Sequence, residues 1–104
     1  MKYVYIVISE LFNDVNRALR DGFIIQGVYS DYETAEKEML THFEYLRDSS
    51  IDARESYITT GLVCSKGPTK AAKIYWNNGK MTKFAIQERI LDQITYASSV
   101  QEGA

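Results

Sequence analysis

Residues 71–90 read Ala-Ala-Lys-Ile-Tyr-Trp-Asn-Asn-Gly-Lys-Met-Thr-Lys-Phe-Ala-Ile-Gln-Glu-Arg-Ile, and the reading of this stretch decides the fold. Its second half carries two periods at once. Phe84, Ile86 and Ile90, with Ala85 and Leu91, fit a strand, whereas Ile86, Ile90, Ile94 and Ala97 fit a helix. Asn78-Gly79 breaks the tie, because both residues tolerate the positive φ of a two-residue type I′ hairpin turn. A hairpin there demands two partners, so strands are expected at 71–77 and at about 81–90, with a short helix over 91–98. A two-residue loop pairs Ile74 with Lys83 and Lys73 with Phe84. That sets apolar against charged and leaves the register open.

Upstream of this hairpin, Ser65-Lys66-Gly67-Pro68-Thr69 reads as a turn. It follows a strand over 56–64, Ser-Tyr-Ile-Thr-Thr-Gly-Leu-Val-Cys. The main helix is expected over 31–48. Ser30-Asp31-Tyr32-Glu33 matches a capping box with Ser30 as N-cap and Glu33 at N3. Ala35, Met39, Phe43 and Leu46 then make one apolar stripe. Residues 3–9 are β-branched and aromatic on both faces, as in a strand interior to its sheet. Residues 23–29 form a second strand, in which Gly27 marks a bulge or a close backbone approach. Between them, Leu11, Val15 and Ala18 or Leu19 recur at helical spacing, so 11–21 reads as a short helix or an ordered loop.

These elements predict a single α+β domain over 1–104, with a mostly antiparallel sheet of about five strands and the one main helix packed on one face. The other face must be covered or polar. Segment 11–21, the C-terminal segment or a second subunit could cover it, and a homodimer would enlarge the core of so short a chain.

Charge is unevenly placed along the chain. Residues 1–56 hold six Lys/Arg against eleven Asp/Glu, a net of −5, while residues 64–90 hold six Lys/Arg against Glu88 alone, a net of +5. The formal total of −2 hides this split. A basic segment in a small domain points to an anionic partner or to an acidic surface on another chain. The acidic helix of one copy meeting the basic hairpin of another is one form of that contact.

Few residues suggest catalysis. His42 is the only His, and Glu38 precedes it by one helical turn. The two could act as an acid–base pair, but no nucleophile or second base accompanies them, so they read as a solvated pair. Cys64 is the only Cys, which forbids an internal disulfide and fits a reducing, cytoplasmic setting. Lys66 nearby could lower its thiol pKa, although a free Cys more often packs as a small hydrophobe. No ligand cluster suggests a metal, and no motif suggests a cofactor. The apolar N-terminal run is too short to span a membrane and lacks a small-residue cleavage site.

The binding candidates all lie in the basic segment. Ser65–Lys70 has small residues, hydroxyls and two lysines, but it joins two strands and lacks the string of a phosphate-binding P-loop. Lys73, Tyr75, Trp76, Lys80, Lys83 and Phe84 interleave cations with aromatics, a pattern that stacks bases and neutralises phosphates. Alternation puts Ile74 and Trp76 on one face and Lys73 and Tyr75 on the other. The chain has five Arg but only one, Arg89, in the basic segment, and Arg is the preferred reader of bases and phosphates. Lys66, Lys70, Lys73, Lys80 and Lys83, with Tyr75, are therefore the expected contacts to an anion or a partner.

Val4–Glu10 followed by Gln26-Gly27-Val28-Tyr29-Ser30-Asp31-Tyr32-Glu33-Thr34-Ala35-Glu36 resembles small uncharacterised α+β domains of phage and bacterial proteins. The resemblance covers the first half of the chain. It implies a small accessory protein and carries over no functional residue. Together these readings predict a non-catalytic interaction protein, an accessory factor or inhibitor that binds a host protein. Binding of nucleic acid or a small nucleotide through 64–90 is the alternative.

Overall fold

A computed structural model describes residues 2–14 and 19–91. Five strands and one helix follow one another as β1 (Tyr3–Asp14), β2 (Leu19–Tyr29), α1 (Tyr32–Asp48), β3 (Ala53–Cys64), β4 (Gly67–Trp76) and β5 (Met81–Ile90). The strands form one antiparallel sheet in the order β2-β1-β5-β4-β3, with α1 on one face, so the α+β expectation holds. The ambiguous stretch is strand to Ile90. Of the expected helix over 91–98, only Leu91 lies among the described residues, and its N–H donates to the Lys2 carbonyl at 3.0 Å.

The helix stripe seals the core. Ala35, Met39 and Phe43 are buried against Tyr5 and Val7 of β1, Ala72 and Ile74 of β4, and Phe84 and Ile86 of β5. Phe43 and Phe84 meet edge to face at 6.3 Å, the arrangement favoured by ring quadrupoles. Trp76 packs half-buried against this cluster, and its indole N–H donates to Thr82 Oγ1 at 2.8 Å.

Three sequence expectations need correction. First, the N-cap is Asp31 and not Ser30. Asp31 has extended backbone, and its carboxylate accepts from the Thr34 N–H at 2.9 Å and from Thr34 Oγ1 at 2.8 Å. Ser30 and Asp31 both suit the role, but the helix starts at Tyr32, one residue later than a Ser30 cap requires. Second, 11–21 holds no described helix. β1 continues to Asp14 and β2 begins at Leu19, and the two pair beyond the end of α1 through register shifts that absorb the irregular apolar spacing. Residues 15–18 lie outside the described residues.

Third, the β4–β5 loop has three residues and not two. Trp76 N–H donates to Lys80 O, Gly79 N–H donates to Trp76 O, and only Gly79 among the loop residues is a positive-φ glycine, at 86°. This is a turn followed by a left-handed residue, which adds one position to the loop. The extra residue moves the register so that Ile74 faces Thr82 and Lys73 faces Lys83. The strands are also longer than expected. β3 gains Ala53–Glu55, and β4 starts at Gly67, so Pro68 lies inside it and the expected 65–69 turn shrinks around Ser65 and Lys66.

Candidate functional site

Because directly opposed residues in an antiparallel sheet share a face, the registers define a row running across all five strands. Phe23 of β2 faces Glu10 of β1, Glu10 faces Lys83 of β5, Lys83 faces Lys73 of β4, and Lys73 faces Tyr57 of β3. This row lies opposite the helix. No described element packs on that face, on which Ile8, Ala71 and Met81 are nonetheless buried. Beside it runs a second row, Phe12–Met81–Tyr75–Glu55. Tyr75 and Tyr57 meet edge to face at 5.9 Å. The Tyr57 hydroxyl donates to the Glu55 carboxylate, and this hydrogen bond to an anion raises its pKa.

The two central lysines are the electrostatic feature of the face. Cα atoms of opposed residues stand about 4.5–5.5 Å apart, and like charges so placed repel. Among the described residues, neither Lys73 nor Lys83 makes an ion pair. Both are half-buried, as long cationic side chains are when the stem covers apolar surface and the charge stays in water. Toward β2 the face turns apolar. Phe23, Ile25 and Val28 are 50%, 55% and 56% exposed, and Ile25 and Val28 stand opposite Ile8 and Ile6.

The structure divides the expected contact residues. Lys73, Lys83 and Tyr75 share the open face. Lys80 ends the hairpin loop, where its N–H donates to Asn78 Oδ1 at 2.9 Å. Lys66 and Lys70 are elsewhere, beside the start of α1. Lys66 Nζ lies 3.8 Å from Glu33, and Lys70 Nζ lies 4.0 Å from Glu36. The acidic helix and the basic loop thus meet within one chain. Tyr32 reinforces the junction: its hydroxyl donates to Glu36 at 2.9 Å and accepts the Lys70 N–H at 3.1 Å. Burial is the main cause that pushes this phenol up to about 12; the Lys70 hydrogen bond opposes the rise and Glu36 adds to it.

The loop is tied down a second time. Glu88 accepts from Ser65 N–H, Ser65 Oγ and the Tyr5 hydroxyl. Burial raises the Glu88 pKa, but these donors, Ser65 foremost, outweigh it and hold the carboxyl below its ordinary range. Cys64 is half-buried and packs against the core cluster. His42 is half-buried, and no hydrogen bond joins it to Glu38. Among the described residues no group of His, Cys, Asp or Glu is placed to hold a metal ion, and no helix is long and apolar enough to cross a membrane.

Sequence reasoning missed Tyr57, Phe23, Ile25 and Val28. Alternation over 55–59 could have located Tyr57. The β2 residues gave no such signal, since a half-exposed edge and a buried strand share one composition. No family model, curated protein or solved structure matches this chain.

Proposed function

We propose that this is a non-catalytic interaction protein that docks the open face of its sheet onto an acidic surface of another protein. The observation that carries this reading is the opposed pair Lys73 and Lys83, with Glu10 the one carboxylate facing either of them directly, beside an exposed apolar strip. Apolar side chains supply contact area once water is excluded, and the lysines select and orient an acidic partner. Tyr57 and Tyr75 add the amphipathic rings that interfaces favour. The resemblance of the first half to phage domains supplies a setting, an accessory or inhibitory factor acting on a host protein in the cytoplasm.

A second reading, single-stranded nucleic acid on the same face, is favoured by the Tyr57–Tyr75 pair beside the lysines. It leaves Ile25 and Val28 without a role, and Arg89 is the only arginine of the 64–90 segment.

The test is a tagged pull-down from nuclease-treated bacterial lysate, comparing the native chain with Lys73→Glu/Lys83→Glu and with Lys66→Glu/Lys70→Glu. A stoichiometric protein lost only with the sheet pair is the expected result. Equal capture by the sheet-face variant overturns the assignment. Capture of nucleic acid alone, and only without nuclease, moves it to the second reading. Sedimentation across a concentration series tells whether the partner is a second copy.

A further inference from the structure

At the end of the molecule away from the Lys66–Glu33 contact, a groove of about 420 Å³ opens between the segment after α1 and the β4–β5 loop. Ser50, Asp52, Trp76, Asn77 and Asn78 line it. Its volume falls within the roughly 300–1,000 Å³ of small-molecule sites.

The groove is held open by main-chain ties. Asn77 N–H donates to the Asp52 carbonyl at 2.9 Å, joining its two walls. Asp52 N–H donates to Ser50 Oγ at 3.3 Å, and Asn78 Oδ1 takes the Lys80 N–H. Trp76 is pinned from the core side by its bond to Thr82, which fixes the indole without using the groove. Among the described residues, the side chains of Asp52 and Asn77 make no hydrogen bond or ion pair.

We infer that this groove binds a neutral, hydroxyl-bearing ring: a saccharide seated against Trp76 and hydrogen-bonded by Asp52 and Asn77. The electron-rich indole face attracts weakly positive C–H groups, and the apolar side of a pyranose presents several of them. A carboxylate accepts two hydroxyls at once through short, charge-assisted bonds, while a carboxamide offers one donor and one acceptor. Those are the partners that adjacent ring hydroxyls need. Among the described residues no Lys or Arg lines the groove to take a phosphate, and Asp52 repels one, which disfavours nucleotides. The site is separate from the open sheet face, since Trp76 lies on the helix side of β4 and Lys73 and Tyr75 on the other.

Trp76 is the only tryptophan, so its fluorescence reports on this groove alone. The probes are the methyl glycosides of glucose, galactose, mannose and N-acetylglucosamine, with adenosine and uridine as nucleoside controls. At least one glycoside should change the emission saturably, with amide shifts in an NMR titration confined to Ser50, Asp52 and 76–78. Asp52→Ala and Asn77→Ala each keep the main-chain ties. Each should weaken that binding by about tenfold or more with an unchanged melting curve. Three results overturn the inference: no saturable response to any glycoside up to about 100 mM, beyond which binding is nonspecific; equal binding by both variants; or tighter binding of a nucleoside than of any sugar.

Discussion

The two faces of this sheet are made from the same strands but hold different chemistry. Under α1, alternate residues of β1, β4 and β5 meet a matched apolar stripe, and every large side chain has neighbours on all sides. One position along on the same strands, the other face sets lysine against lysine beside buried Ile8, Ala71 and Met81, and the neighbouring β2 leaves Phe23, Ile25 and Val28 half exposed. Packing explains the first face where α1 covers it, and leaves Ile24 and Ile58 exposed on the edge strands. It does not explain the second, where residues that cost the fold something are retained. The difference separates residues that build the domain from residues that the proposed interaction would use.

The sharpest way to break this comparison is to truncate one side chain on each face. Phe43→Ala should cost about 3–5 kcal/mol in urea unfolding, through the cavity it leaves over Phe84. Ile25→Ser should cost under about 0.5 kcal/mol. Similar losses for both would mean that something covers the open face.

The loop that joins the two chemistries comes next. Glu88→Gln replaces a charged acceptor of three donors and should cost about 1 kcal/mol, at the low end for charge-assisted bonds because the site is partly solvated. The pH dependence carries a definite sign. The folded Glu88 pKa lies below its unfolded value, so its contribution is complete above the ordinary carboxylate range and is lost as pH falls through the lower, folded value. Urea midpoints of native protein and variant should therefore converge as the solution is acidified.

The smallest effect is the most discriminating, because its sign is unusual. Lys73→Glu turns a repulsive opposed pair into an attractive one and should raise stability by roughly 0.2–1 kcal/mol, while abolishing partner binding. A destabilised variant would show that the lysines are not in conflict. A stabilised variant that still binds would show that the face is not the interface.

The sequence revealed much of the covered face and little of the open one, for physical reasons. The stripe Ala35, Met39, Phe43 and the alternation around Ile74 follow from periods that burial enforces. The Asn-Gly signal correctly located the hairpin, but it did not reveal that Asn77 joins the loop. That single added residue hid the Lys73–Lys83 opposition. The long β1–β2 arm was hidden too, because Leu11 and Val15 fit a helical spacing, and only pairing across the sheet makes 11–14 a strand. Lys66 and Lys70 looked like a free anion site because sequence cannot show that Glu33 and Glu36 reach them from the start of the helix.

The edges of the sheet carry a further consequence. β2 from Gly22 to Tyr29 and β3 from Ser56 to Cys64 contain no charged residue, and both are terminal strands. Were they straight, β2 of one molecule could add to β3 of the next, a head-to-tail contact that never closes and grows into a fibre. Each edge is interrupted near its middle: β2 at Gln26, where the register with β1 slips, and β3 between Thr60 and Val63, where the register with β4 slips. Those two irregularities, which look like flaws in the ladder, twist and break each edge and so work against such edge-to-edge addition.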